Sequence, residues 1–260
     1  MISKAKLKYL SSLKQRKSRQ EHNRFLVEGL RLCEEILDSY YEIETALFCA
    51  AQLQSERGQQ LIETLRQRGI PTLEINQTEL KRISETVHSQ GIVCVVKKRE
   101  FDLSEILRTP PRVLLAFDEI NDPGNLGAIL RTAGWFNVGG IFLSKNSVEA
   151  VNGKVVRASM GGLFHLPIFE NCTLEEMIAK LKNENYAIWV ADANGDVDYR
   201  RANFGEKNLL VLGNEIEGVH SEIMKMADGL LKIPNPGKGE SLNVAVAAGI
   251  LLAEMNRGSK

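Results

Sequence analysis

Apolar residues recur in two textures along the chain, short unbroken runs and stretches of helical spacing, and their alternation predicts an α/β protein. Leu7, Leu10 and Leu13 stand at helical spacing among lysines and serines, which predicts one amphipathic helix over residues 3–19 with a basic polar face. Strands are predicted at 24–28, 43–50, 70–75 and 91–97, with helices at 30–37, 52–68 and 77–84 between them. Residues 99–111 end in Thr109-Pro110-Pro111, resist regular structure and read as a linker between domains 1–98 and 112–260. Beyond it, strands are predicted at 113–117, 140–143, 186–191, 209–212 and 230–233. Helices fall at 125–136, around Val155, at 174–181 and at 242–255. These apolar runs do not alternate with polar residues, as expected of a mainly parallel sheet covered on both faces.

Composition sharpens this picture without changing it. At 43% hydrophobic and 25% charged residues the chain reads as globular. The longest apolar run, residues 244–253, is broken by Gly249 and falls short of the roughly 20 residues that a membrane span needs. The lysine-rich start lacks the apolar core of a secretory signal, so a cytoplasmic location is expected. Cys33, Cys49, Cys94 and Cys172 are isolated, and His22, His88, His165 and His220 are scattered. Neither a metal site nor a Ser-His-Asp arrangement is expected. Lysine plus arginine and aspartate plus glutamate both total 33, which excludes a whole-protein positive field. Charge is instead local: Lys4, Lys6, Lys8, Lys14, Arg16, Lys17, Arg19 and Arg24 face only Glu21 in the first 24 residues, a cationic arm suited to phosphates.

In an open α/β sheet, ligands bind beyond the carboxyl ends of the strands, and three polar clusters follow apolar runs there. Asn121-Asp122-Pro123-Gly124-Asn125 opens a helix that carries Arg131, and a helix start presents free N–H groups to an anion. Six positions separate Asn125 from Arg131, less than two turns, so both are expected to face one site. Gly213-Asn214-Glu215-Ile216-Glu217-Gly218 leaves a strand with a carboxylate between two glycines. A Pro-Gly loop from Ile233 runs through Ser241-Leu242-Asn243 into an alanine-rich helix, with Ser241 placed to cap it and Asn243 inside its first turn. Each cluster alone is also what a turn or cap is made of. Two nucleotide motifs fail on the third loop: Lys238 is followed by glycine rather than Ser or Thr, and the position three after Gly239 is Leu242.

Together and in this order, the clusters resemble the SpoU/TrmH family of RNA ribose 2′-O-methyltransferases in the SPOUT superfamily, over roughly residues 112–257. Residues 3–97 more diffusely resemble an L30e-like RNA substrate-binding domain. The resemblance implies a C-terminal α/β domain with a deep trefoil knot, a smaller N-terminal α/β domain, and a homodimer whose sites lie near the subunit interface. It implies S-adenosylmethionine against Gly213, Ile233 and Leu242, and a catalytic patch of Asn125, Arg131, Glu215, Ser241 and Asn243. Lys14, Arg16, Lys17, Arg19 and Arg24, with residues 97–99, become RNA contacts, and no metal is required. Large-subunit ribosomal RNA is the favoured substrate. A transfer RNA methyltransferase, or a non-catalytic RNA- or ribosome-binding protein of the same fold, remain alternatives.

Overall fold

The computed structural model describes residues 2–257 apart from His88, Glu215 and Glu240. They form two compact units, one built from residues 1–99 and 151–165, the other from 100–150 and 166–260.

The first unit begins with two helices, α1 (Lys4–Ser12) and α2 (Arg16–His22), rather than one. Ser3 caps α1 by accepting from the N–H of Lys6. At its other end Arg19, 3% exposed, donates to the carbonyls of Leu13 and Lys14 at 3.1 and 2.7 Å. These are the acceptors a helix C-terminus leaves unsatisfied, and a cation there also opposes the negative dipole end. Leu7, Leu10 and Leu13 pack on Leu47, Leu80, Ile83, Val93 and Val95, each contributing about 1.5–3 kcal/mol by leaving water. Then follow β1 (Arg24–Glu28), α3 (Leu30–Glu35), β2 (Ile43–Phe48), α4 (Glu56–Gln67), β3 (Thr72–Glu74), α5 (Gln77–Ile83) and β4 (Ile92–Lys97). The sheet order is β1-β4-β2-β3, with β4 antiparallel to both neighbours and β2 parallel to β3. Central β4 is buried on both faces from Ile92 to Val96, which is why it reads as an unbroken apolar run.

The expected linker contains a helix, α6 (Leu103–Arg108). Asp102 caps it, accepting from the N–H of Ser104 at 2.8 Å, and Leu103 is buried in the second unit's core. Pro110 and Pro111 lie beyond its end, as their missing donors and fixed φ require. After them come β5 (Val113–Asp118), α7 (Pro123–Trp135), β6 (Ile141–Ser144), α8 (Gly153–Ala158), β7 (Ile168–Cys172), α9 (Leu174–Asn183), β8 (Ala187–Ala191), β9 (Val197–Asp198), β10 (Asn208–Gly213), α10 (Ser221–Met224), β11 (Gly229–Lys232) and α11 (Val244–Met255). The seven strands lie in the order β7-β6-β5-β10-β8-β11-β9 and every pairing is parallel.

Residues 112–260 are therefore not one continuous unit, because the segment 151–165 with α8 belongs to the first. There Arg157 donates to Glu85 at 2.9 Å, His165 Nε2 lies 2.9 Å from a Glu35 oxygen, and the Phe164 ring meets Tyr41 edge-on at 5.9 Å.

Candidate active site

The chain runs from β5 outward to β6 and β7, then returns to build β10, β8, β11 and β9 on the other side of β5. Strand order reverses between β5 and β10, and the crevice outside their carboxyl ends is where such sheets bind ligands. The last pair in their register is Asp118 with Gly213, so the first two polar clusters leave the sheet side by side.

The first cluster is shaped by its own chemistry. Asp122 accepts from the N–H of Asn125 at 2.7 Å, and Pro123, whose missing donor costs nothing at a first helical position, starts α7 two residues earlier than the apolar spacing predicts. Arg131 is exposed and makes no side-chain hydrogen bond or ion pair among the described residues. Six residues turn an α-helix by 600°, so Asn125 and Arg131 sit about 120° apart around the axis and about 9 Å along it. They occupy neighbouring faces of α7 rather than a single stripe. Thr132 does share the Asn125 face, and its methyl is the nearest group to Gly249 of α11, 3.8 Å from where a Cβ would stand.

The third cluster corrects another expectation. The N-cap of α11 is Asn243, not Ser241: its Oδ1 accepts from the N–H groups of Ala245 and Val246 at 2.9 and 3.3 Å. Its Nδ2 donates across to Asn125 Oδ1 at 2.9 Å, joining positions 118 residues apart. Ser241 and Leu242 are exposed on the approach to the helix, and Ile233, just past β11, is half-buried. Upstream, Asn235 ties the Pro-Gly loop by accepting from Gly237 N–H at 2.8 Å and donating to the Gly239 carbonyl.

The second cluster is closed by its own backbone. Asn214 Oδ1 accepts from the N–H of Ile216 and Glu217 at 2.9 and 2.7 Å, and Gly218, at φ +72°, donates to the Asn214 carbonyl at 3.2 Å. A Cβ on Gly213 would stand 2.0 Å from the Gly218 carbonyl, so the loop itself demands this glycine. Glu215 lies outside the described residues. The loop ends at His220, whose Nδ1 lies 2.7 Å from the buried Oδ2 of Asp118. The hydrogen bond to that carboxylate and its negative charge raise the imidazole pKa. Sequence reading passed over Asn214 and His220. An asparagine four residues before a glycine is a turn signature, but no spacing pairs Asp118 with His220.

The basic arm divides by task. Arg19 serves α1 as described. Arg24 donates to Glu44 at 2.5 Å, and Lys14 donates to the Ser84 carbonyl at 2.6 Å, with burial lowering its pKa. Lys97 pairs with Glu42, and Arg99 donates to the Tyr40 carbonyl at 2.9 Å. Arg16 and Lys17 are exposed and make no side-chain hydrogen bond or ion pair among the described residues.

Residues 112–253 match the model of the SpoU rRNA Methylase family, and residues 4–94 match the MRM3-like substrate binding domain. The 23S rRNA (guanosine(2553)-2′-O)-methyltransferase RlmP of Bacillus subtilis (strain 168) is 32% identical over 247 residues, 95% of this chain and 94% of that one. The SpoU methyltransferase AviRb from Streptomyces viridochromogenes, solved in complex with AdoMet, superposes with a TM-score of 0.89 at 25% identity over 98% of each chain. An AdoMet-bound rRNA methyltransferase from Sinorhizobium meliloti superposes with a TM-score of 0.87 at 30% identity, over 100% of this chain and 97% of that one. With three loops gathered at the switch point of a parallel sheet and a family model matched over more than half its length, the chain belongs to the SpoU rRNA methylase family.

Proposed function

We propose that the protein transfers a methyl group from S-adenosylmethionine to a ribose 2′-hydroxyl of large-subunit ribosomal RNA. The Asn243–Asn125 hydrogen bond carries this reading, since it joins the first and third motif loops beside the β5–β10 crevice. The rRNA and 2′-O assignments draw on the names of relatives that this chain matches nearly end to end.

The loops suit a flat, partly apolar cofactor. Ile216 and Leu242 are 94% and 50% exposed, and covering them would remove apolar surface from water. Gly213, Ile233 and Leu242 would hold the cofactor, which when bound supplies an electrophilic methyl on sulfur. The protein's remaining task is to align the 2′-oxygen in line and stabilise the charge that develops on it. Arg131, permanently cationic, is a poor base but a good fork for an RNA phosphate and the emerging oxyanion. Asn243 has its acceptor committed to α11 and its donor to Asn125, so it positions Asn125. Ser241, exposed on the approach loop, orients the ribose, and Glu215 completes the patch. The knotted threading implied by the resemblance belongs to the same proposal. The test is incubation with methyl-tritiated cofactor and ribosomal RNA. Alkali-resistant label at one nucleotide is expected, and label in no RNA would remove the reading.

No helix among the described residues is long and apolar enough to cross a membrane, which fits a cytoplasmic enzyme. RNA is held in part by Arg16 and Lys17. Replacing both with alanine is expected to flatten the slope of log affinity against log salt by about 2, one unit per lost phosphate contact. An unchanged slope takes the arm out of the interface. Lys14→Gln should act on thermal stability instead.

Two copies associate in this reading. Trp135 on α7 and Val246 on α11 are 85% and 51% exposed, apolar side chains that a second copy would cover. Trp135→Glu is expected to turn a dimer into a monomer in light scattering, and a variant of unchanged mass would exclude this face.

A further inference from the structure

We infer that Asp118 and His220 form a latch that fixes the loop between Gly213 and His220, making His220 a positioning residue for the cofactor. The geometry stands on its own, and the link to S-adenosylmethionine rests on the function proposed above.

Both ends of the loop converge on one residue, Asp118: the first on its backbone and the second on its side chain. Gly213 is held beside Asp118 by the strand register, while His220 is held by two donors to the same oxygen. Asp118 Oδ2 accepts the backbone N–H of His220 at 2.9 Å and lies 2.7 Å from its Nδ1. The carboxylate is 5% exposed, so removing these donors would strand a buried charge. His220 also precedes α10 without capping it by its side chain, its ring turning back to Asp118. Between the tethered ends the Asn214 turn and the tight Gly213–Gly218 approach leave little slack.

The latch is expected to depend on pH. Among the described residues, the charged groups around the ring are Asp118 at the end of β5, Glu119 after it, Glu217 on the loop and Glu222 on α10, all acidic. They favour imidazolium, so the folded-state pKa lies above the ordinary histidine value. The extra hold is fully present below that ordinary value and is lost as pH rises through the raised one. Above it the backbone bond and a neutral Nδ1–H donor remain, a weaker pair than the charge-assisted one.

Two measurements test the latch on the full chain: amide hydrogen exchange of residues 216–220 and calorimetry with S-adenosylmethionine, each from about pH 5 to 9. In the wild type, the protection of the loop amides relative to their intrinsic, base-catalysed exchange rate at each pH should drop, and affinity should fall by about threefold to tenfold, as the ring deprotonates. His220→Ala should lose about tenfold in affinity at the acid end, with fast exchange throughout. His220→Asn, which restores a neutral donor, should keep affinity within about threefold of the wild type at the alkaline end but show no pH dependence. Asp118→Asn should weaken the hold further; if it fails to fold, the exposed His220 variants decide. Wild-type exchange and affinity profiles in His220→Ala would overturn the latch. A wild type whose loop protection, corrected for the intrinsic rate, follows the histidine titration but which takes up no S-adenosylmethionine would overturn the proposed function and leave the latch standing.

Discussion

Replacing Arg131 with alanine is expected to lower kcat for methyl transfer by about 10²–10³ while leaving the melting temperature and S-adenosylmethionine affinity unchanged. The side chain is exposed, sits in the interior of α7 and makes no hydrogen bond or ion pair among the described residues. Alanine there costs the helix nothing in propensity and strands no buried partner. What is lost is a cation aimed at solvent, valuable only once RNA and the developing oxyanion are present. Arg131→Lys separates charge from geometry: a point charge survives, but the planar fork for two oxygens does not. About a tenfold or greater loss is expected in the lysine variant, with weakened RNA binding. Full turnover and unchanged RNA affinity with lysine would remove the bidentate clamp, and a large drop in melting temperature with alanine would reveal a structural role instead.

What could be read in the sequence followed burial. β5 and β10 are central parallel strands, apolar on both faces, and their runs mark them within a residue. β7 and β9 lie at the sheet's edges, where Phe169, Glu170 and Asn171 need not be buried and two residues suffice for pairing, so neither leaves an apolar run. α6 was hidden by the prolines after it, although Asp102 and the spacing of Leu103, Ile106 and Leu107 announce it. The excursion 151–165 was invisible because its partners, Glu35, Tyr41 and Glu85, lie over sixty residues upstream. In the site, composition located all three loops but misassigned side chains whose partners are distant. Asn243 reads as a residue of the first turn, and nothing local tells that it, rather than Ser241, is the cap. Arg19 looks like its neighbours Arg16 and Lys17 in sequence, and only the burial of α1 makes it a structural cation.

Gly213→Ala is expected to have the second large effect, and for the opposite reason to Arg131. The new methyl would stand 2.0 Å from the carbonyl carbon and oxygen of Gly218 and 2.4 Å from the nitrogen of Val219, all backbone atoms that no rotamer change can move aside. Relief requires the loop to shift by more than an ångström, yet its ends are fixed by the β5–β10 ladder and by Asp118. The strain therefore falls on residues 214–218, which would face the cofactor. Overpacking of this kind costs about 1–3 kcal/mol, equivalent to a loss of about 2–10 °C in Tm for a protein of this size. S-adenosylmethionine affinity should fall by tenfold or more, since about 1.4 kcal/mol of loop distortion is one decade. Gly205→Ala is the control: nothing lies within 4 Å of its added methyl, and it should melt with the wild type or slightly above it. If Gly213→Ala melts with the Gly205 variant and binds the cofactor as the wild type does, the loop does not close on itself in solution, and the positioning of the cofactor must come from the Pro-Gly loop alone.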